Sequence, residues 1–382
     1  MKKFLKIFLR TIVFSPSLLI LTFIISQKSF ASKARMNSLG GDLTAFYYMN
    51  DSRNIFFNPS YVNLNKDFII FEWGADNHSL GSEASPKSEG GFFKSVDNFN
   101  YGLYLGHEGG YTGRNKTNSS TILPQDNPLE VFIAGDAGIQ WGASAKLSNS
   151  NDETTGVSRK NSALQVKVGA ILGNLEGNIL LDLLDKSTGG ANEKEEYKGD
   201  LGYTLGVNYF LNDISIYTRL EHSGFDYKRS LDGKLDYKNE EDILTVGIGQ
   251  IFQLNEKAKL FSDLHLENSK SLDKKNLSST PSISEVKLLK LPFTLGLETP
   301  VREWLVLRAS IKQNIYSNKT NASNKKQTLE KTTEVNAGGS IDFGKLKVDG
   351  VIGTTDTSGS SSKSGLLSFS NLLTQVSFNY WF

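Results

Sequence analysis

Residues 372–382 read LLTQVSFNYWF. At period two, Leu372, Thr374, Val376, Phe378, Tyr380 and Phe382 share one face, and Leu373, Gln375, Ser377, Asn379 and Trp381 share the other. Such alternation puts successive side chains on opposite faces of a β-strand. The first face suits lipid and the second, with its Gln, Ser and Asn, suits a wet interior. The segment predicts the closing strand of a transmembrane barrel, paired with a first strand near 67–74, because lipid tolerates no unpaired sheet edge.

The same split recurs upstream. In WLVLRASIKQ (304–313), Leu305, Leu307, Ala309 and Ile311 oppose Arg308, Ser310 and Lys312. LGYTLGVNY (201–209), ILTVGIGQIF (243–252), AKLFSDLHLE (258–267) and EVNAGGSIDF (334–343) divide in the same way. Helical spacing fits these segments poorly, and they read as strands. Short turns stand at 173–174, 211–213, 254–257, 300–303 and 343–345. Long polar stretches near 186–199, 227–240, 270–284, 317–331 and 355–369 read as loops. Short turns on one side and long loops on the other are the layout of an outer-membrane barrel.

Earlier strands are expected near 67–74, 89–95, 99–107, 129–134, 137–148 and 160–172. With those from 174 onward the count is about 16, an even number, and 14 if one weak early hairpin is lost. The predicted fold is all-β: an antiparallel up-and-down transmembrane β-barrel over 67–382, with an N-terminal plug segment over 32–66. A secreted β-sandwich also alternates, but its inward face is apolar and its loops need not differ by side.

The chain begins with a charged stretch holding Lys2, Lys3, Lys6 and Arg10, then an apolar run from Thr11 to Ile25, then Ser29 and Ala31. That order predicts a signal peptide over 1–31. Five basic and no acidic residues precede Ser32, so cleavage takes the formal charge from +1 to −4. No basic tail remains to recruit nucleic acid. The chain has no cysteine, which removes disulfides and thiolate metal sites. Both ends fall on the short-turn side, and the bacterial outer membrane, with both termini periplasmic, is the expected location.

Enzyme signals are sparse. The histidines are His78, His107, His222 and His265, and none sits in a local catalytic or zinc-binding pattern. Glycines in TVGIGQ and LGVNY lie on strands without the helix a phosphate loop requires, and are expected to relieve crowding inside the barrel or allow a bulge. No enzyme, cofactor or metal is expected. The residues expected to face the lumen are Lys146, Lys167, Arg219, Glu221, Asp263, Arg308, Lys312, Glu334 and Asp342. Their charges are of mixed sign, which indicates pairing along the wall and no strong ion selection.

Between Ala31 and the first strand lie Arg35, Leu39-Gly40-Gly41, Asp51, Phe56-Phe57 and Asn58-Pro59. This pattern resembles the N-terminal region of the long-chain fatty-acid transporter-like barrels and their relatives. Ser60 stands where that family usually has Ala, and its acidic pair is reduced here to Asp51. The resemblance implies an internal plug built on Arg35, Gly40, Gly41, Asp51, Phe56, Phe57, Asn58 and Pro59. The residues also favour shelter, because Phe46, Tyr47, Tyr48, Phe56, Phe57 and Tyr61 are costly to leave in water; a cap over the periplasmic mouth is the alternative. Tyr380 and Phe382 resemble the terminal signal read by the barrel assembly machinery, an expected partner alongside outer-membrane lipids. The resemblance implies passage of small apolar or amphipathic solutes. A general porin for hydrophilic solutes and a surface-contact protein are the alternatives.

Overall fold

The computed structural model describes residues 32–41, 47–49, 51–74, 88–107, 122–123, 125, 127–154, 157–190, 194–230, 235–275, 282–321, 326–328, 333–355 and 372–382. The expected signal peptide, Phe46, His78 and nearly all of the loop near 355–369 lie outside those residues.

Alternating side chains build one antiparallel sheet. Its first strands are β1 (Phe68–Trp73), β2 (Ser88–Val96), β3 (Phe99–Leu105) and β4 (Leu129–Asp136). Then come β5 (Gln140–Thr154), β6 (Val157–Leu172) and β7 (Leu175–Gly189). β8 has two stretches, Lys194–Gly199 and Gly202–Leu211, both lying between β7 and the next strand. β9 (Ile214–Ser230), β10 (Leu235–Gln253), β11 (Lys259–Lys275), β12 (Ser282–Arg302) and β13 (Leu305–Thr320) follow. β14 again has two stretches, Lys326–Thr328 and Thr333–Asp342, both paired with β13. β15 (Leu346–Thr355) and β16 (Leu372–Trp381) complete the wall.

β16 pairs with β15 on one side and with β1 on the other, where Phe68 opposes Trp381 and Trp73 opposes Val376. The sheet is therefore closed, and the wall has 16 strands rather than 14. Closure satisfies every edge that lipid would otherwise leave unpaired.

Period two decides which face meets lipid. On β10, Leu244, Val246 and Ile248 are 42%, 47% and 44% exposed, while the intervening Gly247 and Gly249 lie against internal tyrosines. Val131, Ile133, Val168, Ile179, Val207, Ile216, Leu307 and Ile311 continue this apolar exterior around the barrel. On β16, Gln375, Ser377 and Asn379 are buried inside and Tyr380 is outside, as the alternation of LLTQVSFNYWF requires.

One rim carries the short turns. Asp97, Gly138, Gly173, Asn212 and Gly344 take positive φ there, which Gly, Asn and Asp tolerate best. The turn expected at 300–303 sits later, because β12 runs to Arg302 and leaves only Glu303 and Trp304 to reverse the chain.

The opposite side corrects the sequence reading more substantially. Much of 186–199, 227–240, 270–284 and 317–331 is strand. β12 has 21 residues, about twice the length needed to cross the hydrocarbon layer. Beyond the apolar belt both faces are wetted, so hydrophobic alternation disappears and the sheet reads as loop. Among the described residues the wall is uneven, since β1 to β4 have only 6, 9, 7 and 8 residues. On β12 the ladder is irregular at Leu291/Pro292, where Pro292 has no N–H to donate.

Candidate functional site

Ser32 caps a short helix, α1 (Lys33–Ser38), by accepting from Arg35 N at 3.1 Å. One and a half turns are too few to hold in water alone. α1 is held by the wall: Ser32 Oγ donates to Asp349 Oδ2 at 3.0 Å, Lys33 N to Glu72 Oε1 at 2.6 Å, and Asn37 Nδ2 to Gln375 Oε1 at 2.6 Å. Gly40 ends the turn at φ 73, and a Cβ there would lie 2.9 Å from Thr294 Cγ2. Gly41 N closes back onto Met36 O at 3.0 Å.

Two 3-10 turns follow. Asp51 caps the first, Ser52–Phe56, by accepting from Arg53 N at 3.0 Å. Asn58 caps the second, Pro59–Asn63, accepting from Ser60 N at 3.2 Å. Pro59 occupies the first position, where a missing N–H costs nothing. Asn63 Nδ2 then donates to Gly135 O and Trp141 O, at 3.1 and 3.0 Å, beside the β4–β5 turn.

These partners and close neighbours come from strands around the barrel: β1, β2, β5, β6, β8, β10, β12, β14, β15 and β16. A segment can touch all of them only from within. The described residues of 32–65 therefore lie inside the wall, beside the short-turn rim.

Two buried charge centres fix the segment. Arg53 Nη1 donates to Glu72 Oε2 at 2.5 Å and pairs with Glu89. Lys33 Nζ meets Glu89 Oε2 at 2.8 Å, Tyr104 OH lies within hydrogen-bond reach of both carboxylates, and Ser377 Oγ donates to Glu72. At the second centre, Arg35 Nε and Nη2 grip Glu298 at 2.8 and 3.1 Å, and Arg35 Nη1 donates to Asp51 Oδ2 at 2.7 Å. Arg308 donates to the same Glu298 at 2.6 Å and to Asp349 at 3.1 Å. Burial pushes the Asp51 carboxyl up, opposed by the Arg35 guanidinium and the Arg53 N–H. Burial also works against charge on Arg35, but Glu298 and then Asp51 outweigh it and hold the guanidinium charged. Removing one partner of such a buried pair is strongly destabilising, because it leaves an uncompensated buried charge.

Aromatic rings occupy the space between the charges. The Phe56 ring lies 3.8 Å from that of His107 and 4.7 Å, edge-on, from that of Tyr104, with Arg53 at 4.3 Å over its face. Phe57 packs on Tyr47 at 5.0 Å, and Tyr47 stacks on Tyr217 at 5.1 Å. Phe68, Phe93, Tyr104, Phe132 and Tyr217 present this apolar surface from the wall. The sequence reading missed all five, because the inward face of a strand such as FIIFEW mixes Phe68 and Ile70 with Glu72 while its outward face is apolar as well. It also missed Glu72, Glu89, Glu298 and Asp349.

Among the residues expected to face the lumen, Lys167 Nζ donates to Glu130 Oε1 at 2.7 Å, and Lys146 is buried nearby on β5. Arg219 pairs with Glu221 at 2.8 Å. Asp263 accepts from Tyr217 OH and contacts His265 Nδ1, both at 2.7 Å. Lys312 and Glu334 stand opposite each other across β13 and β14. Asp342 lies at the rim, exposed at the β14–β15 turn, and accepts from Gly344 N at 2.7 Å, as short turns require. His222 contacts Asp242 on the exterior at 2.7 Å. Among the described residues no group of three His, Asp or Glu could hold a metal ion. Tyr380 and Phe382 point outward at the rim, and Lys94 Nζ lies 4.7 Å from the Phe382 ring centre.

No protein-family model matches the sequence, and no curated protein does. Among solved structures, the CymD monoaromatic hydrocarbon channel is 12% identical, with 91% of this chain and 96% of that chain covered and a TM-score of 0.39. A Pseudomonas aeruginosa FadL homologue is 10% identical over 89% and 96%, at a TM-score of 0.42. The P. putida toluene transporter TodX is 15% identical over 85% and 92%, at 0.34. Likenesses this distant add nothing to what the closed sheet and its apolar exterior already establish. The chain is a 16-stranded β-barrel of the bacterial outer-membrane type, with its own N-terminal segment seated in the lumen.

Proposed function

We propose that the barrel passes small apolar or amphipathic solutes across the outer membrane, with residues 32–66 as its plug. The observation that carries this reading is the seating of the segment: its charges are neutralised by the wall and its rings complete an aromatic lumen. A water-filled porin keeps a polar channel open, whereas here the wall's rings pack on those of the segment and would meet an apolar solute when the segment moves. In this reading the short-turn rim faces the periplasm, and Tyr380 and Phe382 address the chain to the barrel assembly machinery.

The test is uptake by liposomes containing the purified protein. Aromatic or detergent-like solutes should enter faster than into empty vesicles, and small sugars should not. Equal entry with and without protein would defeat the reading.

A further inference from the structure

We propose that six wall glycines are positioning residues for the plug: Gly142, Gly169, Gly206, Gly249, Gly296 and Gly338 set its depth and orientation, and so decide whether the lumen is closed. This rests on the plug reading above.

None of the six has a positive φ, and no register shift occurs at any of them. Neither backbone freedom nor a bulge therefore explains them. What remains is the space left by an absent side chain. A Cβ on Gly142 would collide with Pro59 C and O and with Ser60 N, and one on Gly169 would collide with Asn58 Oδ1. On Gly206 it would strike Tyr47 OH and the wall's Asn178 Oδ1, and on Gly249 it would strike Tyr48 Cβ. On Gly296 it would lie 3.0 Å from Leu39 O, and on Gly338 2.7 Å from Ser38 Cβ, where the neighbouring strand's Gly350 O, at 2.5 Å, also demands a small residue.

The glycines belong to strands β5, β6, β8, β10, β12 and β14, and together they meet α1, the Tyr47–Tyr48 stretch and the Asn58–Pro59 turn. Four positions form one continuous row, with Gly142 opposite Gly169, Gly169 opposite Asn178 and Asn178 opposite Gly206. The wall thus carries a recess cut to the shape of the segment, at a level that the ion pairs alone would not define. Long Arg and Glu side chains can follow a shifted backbone; the Pro59 carbonyl against Gly142 cannot.

The experiment compares Gly142→Leu and Gly249→Leu with wild type, a variant lacking residues 32–65, and the control Gly177→Leu. A Cβ on Gly177 would meet nothing closer than Gly206 O, at 3.8 Å. Folding is checked by heat-modifiable mobility, plug seating by tryptic cleavage at Arg35 and Arg53, and closure by planar-bilayer conductance. The expected result is folded barrels in which Gly142→Leu and Gly249→Leu expose both arginines and raise conductance about tenfold, toward the deletion. Gly177→Leu should behave as wild type, and adding Tyr48→Gly to Gly249→Leu should restore closure. Should a leucine variant fail to fold, the alanine variant at the same position is read in its place. Folded, closed and protected glycine variants beside an open deletion barrel would overturn the seat and leave the plug standing. A deletion barrel that conducts like wild type would overturn the plug itself.

Discussion

Arg53 joins three separate parts of the chain. Its partners Glu72 and Glu89 lie on β1 and β2, and Tyr104 from β3 reaches both of them. Arg53→Met should cost about 3–5 kcal/mol, because Glu72 loses its paired cation in a buried site and Glu89 is left with Lys33. Urea unfolding of the liposome-embedded barrel, followed by tryptophan fluorescence, measures this; an unchanged midpoint would show that Arg53 is not the hub. Nothing in the sequence marks Arg53, which sits in the polar stretch MNDSRN and reads there as solvated. Its partners are 19 and 36 residues away, and only closure of the barrel brings them together. Arg35 and Asp51 were legible because the N-terminal pattern singles them out, but Glu298, which Arg35 grips, was not.

Individual strands were readable where one face is dry and the other wet. β10 illustrates both regimes. From Leu244 to Phe252 the apolar residues alternate, and the strand is plain in the sequence. From Leu235 to Asp242 the same strand continues with charged residues on both faces, and reads as loop. The two regimes predict different responses. Ile248→Arg, in the lipid-facing belt, should cost about 2–4 kcal/mol. Lys270→Ala, on the protruding part of β11 where it contacts Glu285 at 3.4 Å, should stay within about 0.5 kcal/mol. Equal costs in the unfolding assay would mean that the boundary of the lipid belt is misplaced. The short-turn rim was legible for a separate reason, since positive-φ Gly, Asn and Asp have few other uses in a strand-rich chain.

At the scale of the molecule, the ends of the wall determine whether it closes. Phe382 N donates to Asp67 O at 3.3 Å, and Lys94 Nζ lies 3.1 Å from Asp67 Oδ1 and over the Phe382 ring. Phe382→Asp places a carboxylate beside Asp67 at this seam and removes the terminal aromatic residue. It should reduce the amount of heat-modifiable barrel in the outer membrane; wild-type levels would count against a role for Phe382 in assembly. Strand number, closure and a short-turn rim could be read from alternation and turn chemistry. The fit of the segment inside the wall could not, because it depends on rows of small residues aligned across strands, and register is invisible to a one-dimensional pattern.

Whether residues 32–65 close the lumen that they occupy is decided by single-channel recording of the wild-type protein against a folded variant lacking them. Little or no steady conductance is expected from the full chain, and large, stable openings from the shortened one. Equal conductance in the two would contradict the plug.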